Sequence, residues 1–176
     1  GYIRIAGDAG RSLGTQHDAV AEGLSAGLAS VGRPAAHPVR PRSALRIVFT
    51  RPQAAVVGRG PTTIDTPFVT GSASFRGQGR ARILDQAEGL VHVYADRMSG
   101  VLLGAELLGP HVEHLAHLLA WSIDASMTVN RLLMMPIYHP ALEEALRTAL
   151  LDARAKGAGH SHGHGTASRR SAAHGS

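Results

Sequence analysis

Apolar side chains recur along this chain in two different periods. From Leu45 to about Gly109 they come in short runs: Leu45–Phe49, Ala54–Val57, Phe68–Phe75, Ala81–Leu84, Leu90–Ala95 and Val101–Leu108. Phe68–Phe75 and Leu90–Ala95 alternate apolar with small or polar residues, as a half-buried strand does. Asp96-Arg97-Met98-Ser99-Gly100 reads as a turn, so the strands on either side of it form an antiparallel hairpin. Beyond Gly109 the spacing changes to three and four, with Val112, Leu115, Ala116, Leu118, Leu119 and Ile123 on one helical face. A shorter helical stretch over Val129–Met134 runs up to Pro136. A third helix begins after Pro140, in whose first turn proline is well tolerated, and continues to about Ala155 with Leu142, Leu146, Leu150 and Leu151 on one side. Strands first and helices afterwards predict an α+β fold, an antiparallel sheet flanked by helices.

The N-terminal part has a different texture. Tyr2–Ala6 reads as a short strand, followed by a Gly-Asp turn and a helix of small residues from about His17 to Ser30. Gly32-Arg33-Pro34 closes that helix, since glycine just past a C-terminus and proline beyond it cannot continue the coil. Residues 33–44 carry Pro34, Pro38 and Pro41 and read as a stiff linker, which puts a domain boundary between 1–32 and 45–155. Residues 156–176 hold almost no large aliphatic side chain, and a segment that cannot bury apolar surface is expected to be disordered.

Composition removes several function classes. The 176 residues carry a formal charge of +5, but the basic residues are scattered arginines with Lys156 the sole lysine. A nucleic-acid surface would gather its charge on one element. There is no cysteine, hence no disulfide framework, thiolate metal site or redox dithiol within the chain. No run approaches the ~20 apolar residues that span a bilayer, and the start lacks the pattern of a signal peptide. A soluble, cytoplasmic protein with neither nucleic-acid nor membrane partners is expected. The first methionine is Met98 and the chain opens on Gly1 inside a strand pattern, which fits a fragment better than a gene start.

The segment Tyr138-His139-Pro140-Ala141-Leu142-Glu143-Glu144 carries the sharpest chemistry. His139 stands just before a helix, and Glu144, five positions on, can accept a hydrogen bond from one ring nitrogen. A carboxylate so placed fixes the tautomer and raises the basicity of the other nitrogen, making His139 a general base with Glu144 its orienter. Other histidines invite metal readings. His111, His114 and His117 step by three along a helix and are expected to fan out over a solvated or interface face, with Glu113 pairing with His117 at i,i+4. His160, His162 and His164 alternate with small residues and read first as an incidental tail, second as a metal-wrapping one. Trp121 is expected in the core or a dimer interface, and Met127, Met134 and Met135 in adaptable packing.

The His139–Glu144 arrangement resembles the C-terminal His-Pro-x-x-x-Glu motif of the FAD-dependent pyridine nucleotide-disulfide oxidoreductases, a family that includes dihydrolipoamide dehydrogenase, glutathione reductase and mercuric reductase. Further matches fall in the same order. Ile5-Ala6-Gly7-Asp8-Ala9 is similar to the family's second FAD motif, and His17-Asp18-Ala19-Val20-Ala21-Glu22-Gly23 to the helix after it. Ile47 to Gly58 resembles the phrase that opens the dimerisation domain. Gly79-Arg80-Ala81, the Val101–Gly109 strand and Met127-Thr128-Val129 fall where the family has their counterparts. Together these span nearly all of residues 2–155.

The resemblance implies a dimerisation domain over 45–155, preceded by the last strand and helix of an FAD-binding domain. It implies FAD contacts at Gly7, Asp8, His17 and Ala19, with the N-terminus of the second motif's helix facing the flavin ring. It implies catalytic roles for His139 and Glu144 toward a dithiol, contributed across a homodimer because the family histidine enters the opposite subunit's site. Among members the dihydrolipoamide dehydrogenase type fits best, oxidising dihydrolipoamide, free or on a lipoyl domain, with NAD+. Departures are Ala141 and Glu143, where the family usually has threonine and a small residue, and Gly14-Thr15-Gln16, which replaces a more apolar approach. No cysteine pair follows Glu144, unlike mercuric reductase. The first dinucleotide fold, the redox cysteine pair and the NAD(P) domain are not in this chain, so alone it is expected to be inactive and to bind FAD weakly or not at all. A non-catalytic dimerisation module and a glutathione-reductase-like enzyme are the alternatives.

Overall fold

The computed structural model describes residues 3–10, 15–33 and 43–158. Its centre is a five-stranded sheet built from β1 (Leu45–Val48), β2 (Gln53–Gly58), β3 (Phe68–Ser74), β4 (Leu90–Asp96) and β5 (Leu102–Gly109), in the order β1-β2-β5-β4-β3. Every pairing is antiparallel, so the α+β class expected from the pattern is the one observed. Alternation decides the faces. Ala55 and Val57, Val91 and Val93, and Ala105 and Leu107 point to one side, where they are buried. Val48, Leu90 and Leu108, linked by register through Ala54, fall on the other side and are exposed.

Two helices cover the buried face. α3 (Val112–Asp124) packs on β1, β2 and β5, and α5 (Glu144–Ala158) packs on β3 and β4. Val112, Leu115, Ala116 and Leu119 of α3 are buried, as are Ala145, Leu146, Ala149, Leu150 and Ala153 of α5. Each large aliphatic side chain so covered stabilises the fold by about 1.5–3 kcal/mol relative to exposure. Leu118 and Leu151, placed with the apolar faces by their spacing, turn outward instead. At 100° per residue each lies off the axis of its stripe, and alanines fill the inward positions.

Three further expectations are corrected. Ala81–Leu84 is not a strand but part of the short helix α2 (Gly79–Ile83), because the Gln78 side chain accepts a hydrogen bond from Ala81 N and caps it. Met134 lies on the surface rather than in packing; Trp121, 65% exposed, lies outside the core, which leaves the dimer interface of the two places expected for it. Residues 3–6 do not form a strand, since among the described residues they have no strand to pair with.

The helix read from about His17 is α1 (Gln16–Ser30). It ends in a Schellman motif: Gly32, at φ +71°, bonds back to Ala29 O while Arg33 N reaches Leu28 O. α1 has no buried residue, and Val20 and Leu24 are exposed along it. The linker prolines and the histidine-rich tail lie outside the described residues. No helix among the described residues is long and apolar enough to cross a membrane.

Candidate active site

α4 (Val129–Leu133), capped by Thr128, delivers the chain into an extended stretch that ends at His139. Thr128 also bridges to Val101, the residue just before β5, so this approach is anchored beside the sheet. Arg147 of α5 donates to Leu133 O at 3.2 Å and ties the end of α4 to the helix that follows. Regular helix does not begin directly after Pro140, as the sequence suggested. Residues 141–143 form a turn, and regular helix begins at Glu144.

That delay gives Glu144 two tasks. Its Oε1 lies 2.8 Å from His139 Nδ1, and its Oε2 accepts the Ala141 N–H at 3.1 Å. One carboxylate therefore orients the imidazole and closes the turn between the two residues. These hydrogen bonds, that to His139 foremost, hold the Glu144 carboxyl below the ordinary glutamate range. With Nδ1 engaged, the ring's free nitrogen is Nε2, on a side chain 79% exposed. Tyr138 beside it is also exposed.

Sequence reasoning missed Gln78. Its side chain is buried, its Oε1 taken by Ala81 N, and its Nε2 donates to the carbonyl of Ala141. The turn carrying His139 is thus held from below by an amide 63 residues earlier. A polar residue just before Gly79-Arg80-Ala81 was the available signal.

The other group of predicted site residues sits at the N-terminus. Gly7–Ala9 forms a turn of 3-10 helix with Gly7 at φ +69°, a conformation that favours glycine. Gly7 N donates to Glu22 Oε2 at 2.8 Å, which fastens the turn to α1. A Cβ on Gly7 would stand 3.3 Å from Ala19 Cβ, so these two of the four residues are in close approach. Asp8 is exposed and makes no hydrogen bond among the described residues. The His17 ring lies 3.3 Å from Thr15 Oγ1 and 3.9 Å from Asp18 Oδ1. Among the described residues no side chain caps the start of α1, whose N-terminal dipole suits negative charge. Among the described residues, no hydrogen bond or ion pair joins this group to His139 or Glu144.

Comparison with known proteins gives a consistent picture. Residues 45–150 match the family described as "Pyridine nucleotide-disulphide oxidoreductase, dimerisation domain". The chain is 35% identical over 137 residues to a dihydrolipoyl dehydrogenase of Haloferax volcanii, covering 76% of this chain and 28% of that protein. It is 31% identical over 153 residues to that of Bacillus subtilis, covering 85% and 33%. It therefore spans about a third of the length of the curated relatives it matches. Among solved structures, LpdA from Mycobacterium tuberculosis superposes with a TM-score of 0.73 at 28% identity, covering 83% of this chain and 32% of that one. The flavoprotein disulfide reductase RclA from Escherichia coli superposes at 0.74 with 17% identity, over 83% and 34%, a likeness of fold alone. The chain belongs to the pyridine nucleotide-disulfide oxidoreductase family, whose dimerisation domain occupies residues 45–150.

Proposed function

We propose that this chain supplies the dimer interface and the acid/base pair of a dihydrolipoamide dehydrogenase, an enzyme that converts dihydrolipoamide and NAD+ to lipoamide and NADH. The observation that carries the reading is the hydrogen bond from His139 Nδ1 to Glu144, which leaves Nε2 facing outward. Nε2 takes the proton of a substrate thiol, so that the thiolate attacks the enzyme's redox disulfide, and returns that proton in the reverse direction. Glu144 keeps the ring in the tautomer whose Nε2 is unprotonated and stabilises the imidazolium formed. The redox disulfide is not in this chain, which has no cysteine, so the chain alone is inactive.

An imidazole this exposed cannot direct a thiol by itself. In a homodimer it projects into the partner subunit's site, which excludes water and supplies the missing walls. Residues 1–32 are the end of an FAD-binding domain, 33–44 its linker, and 156–176 a tail. When bound, FAD would supply electron transfer between the dithiol–disulfide couple and NAD+, and Gly7, Asp8, His17 and Ala19 would help to hold it. Gly7 would let the backbone turn approach the cofactor, the exposed Asp8 carboxylate would accept from a hydroxyl, and Ala19 and His17 would present the start of α1 to it. The exposed Val20 and Leu24 on α1 fit a helix whose apolar side is covered in a larger domain. A cytoplasmic location accords with this role.

A chimaera in which this chain replaces the matching third of the Bacillus subtilis dihydrolipoyl dehydrogenase tests the proposal. The chimaera is expected to dimerise, hold FAD and oxidise dihydrolipoamide with NAD+. A dimeric, flavin-loaded chimaera with no activity toward dihydrolipoamide would overturn it.

A further inference from the structure

A second convergence of titratable side chains lies at the start of α3, apart from the His139 turn. His111 Nδ1 stands 3.7 Å from Glu113 Oε1, and His114 Nε2 stands 3.6 Å from the same oxygen. One ligand atom from each of the three residues falls within 4.8 Å of the other two. The two imidazoles lie nearly parallel, 17° apart with centroids separated by 6.3 Å. Neither ring makes a hydrogen bond among the described residues. The Glu113 side chain is only 19% exposed, and its Oε2 is buried with no hydrogen-bond partner among the described residues. The oxygen that faces both rings is Oε1, which accepts no hydrogen bond among the described residues, so a largely buried carboxylate meets two imidazoles with no donor between them.

We propose that His111, Glu113 and His114 form a three-ligand site for a divalent transition-metal ion of the zinc class. Two ligand atoms about 2.1 Å from a tetrahedral ion stand about 3.4 Å apart. The two imidazole–carboxylate separations exceed that by a few tenths of an ångström, and the imidazole–imidazole pair, within 4.8 Å, closes by up to about 1.4 Å through rotation of two exposed rings. Two ring nitrogens and one carboxylate oxygen suit zinc, cobalt, nickel or copper rather than calcium or magnesium, which demand oxygen shells. His111 caps α3 at φ +50°, a left-handed conformation that sets its ring beside the first helical turn, where Glu113 and His114 follow. His117, one turn on, is not in the set: its Nδ1 lies 2.6 Å from the carbonyl of Glu113 and its ring packs on Trp121. The partial positive charge of the helix start opposes a cation by about fivefold in affinity at an exposed site and about thirtyfold in a partly buried one, small beside three ligands.

Cobalt(II) is the probe, read by its visible bands and by calorimetric stoichiometry. The full chain is used with His160, His162, His164 and His174 changed to alanine, which removes the tail imidazoles. One Co2+ is expected per chain, with affinity falling more than about tenfold in each of H111N, E113Q and H114A. Asparagine tolerates the left-handed backbone of His111, and alanine at the exposed His114 position favours helix, so neither change should unfold the chain. Circular dichroism checks this. No cobalt bound by the tail-substituted chain would overturn the assignment, as would binding that these three variants leave intact.

Discussion

Ala149 on α5 lies directly against Gly71 on β3, with no room between them for a side chain. A Cβ on Gly71 would press on the Ala149 carbonyl and stand 2.6 Å from Ala153 Cβ and 2.7 Å from Ala153 N. Those are main-chain groups and a short stub, none able to swing aside. The contact matters for the site because α5 begins with Glu144, and its docking on β3 fixes where that carboxylate sits. Gly71→Ala is expected to destabilise the domain by about 3 kcal/mol through overpacking. Thermal unfolding followed by circular dichroism should show a midpoint lower by about 6–12 °C.

The same helix is pinned to the same strand by a polar clamp. Asp152 accepts from Lys156 Nζ at 2.6 Å and from the Ser72 N–H at 2.8 Å, while Lys156 also donates to Thr70 O at 2.9 Å. The Lys156 hydrogen bond and the Ser72 N–H hold the Asp152 carboxyl below its usual range. A depressed carboxylate adds stability that is present above the unfolded-state pKa, about 3.9, and lost as pH falls through the lower folded value. Partial exposure screens the interaction, so Asp152→Asn is expected to cost about 1 kcal/mol near neutral pH. Melting curves should converge for the two proteins in strong acid and diverge as pH rises through 4.

Glu144 titrates with the same sign. Its carboxyl is depressed by His139 and by the Ala141 N–H, so the pair persists in mild acid and parts only below the ordinary glutamate range, about 4.3. Nitrogen-15 NMR of the His139 ring should show an Nδ1 shift with an inflection below that value. In Glu144→Gln the inflection should vanish, since the amide does not ionise there.

Gln78 acts on the site at one remove, through the Ala141 carbonyl. Removing its amide leaves that carbonyl and Ala81 N without their partners, at a cost of about 2 kcal/mol. In the flavin-loaded chimaera, Gln78→Ala is expected to lower kcat with dihydrolipoamide by about tenfold through misplacement of His139. Flavin reduction by NADH, which in the proposed mechanism bypasses His139, should be unchanged. Equal losses in both directions would mean Gln78 serves the fold alone.

Much of this was legible before any coordinates. Alternation in Phe68–Ser74 and Leu90–Asp96 gave the strands because a half-buried sheet forces period two. The five-residue step from His139 to Glu144 foretold their hydrogen bond. Ala81–Leu84 misled because a four-residue apolar run carries no period, and the Gln78 cap decides its conformation. Glu113 was expected beside His117, yet the left-handed His111 draws the carboxylate toward His111 and His114. Helical spacing cannot anticipate a residue outside the helix that folds back on it. Trp121 could be read only as core or dimer interface for a related reason: hydrophobicity says a side chain prefers cover, not which surface provides it.

The central claim is that His139 is the acid/base for the dithiol and not for the nicotinamide. Stopped-flow measurement of flavin reduction in the chimaera separates the two half-reactions. The account predicts that His139→Gln slows reduction by dihydrolipoamide by about 10²–10⁴-fold and leaves reduction by NADH as it was. An unchanged rate with dihydrolipoamide, or an equal loss with both reductants, would contradict it.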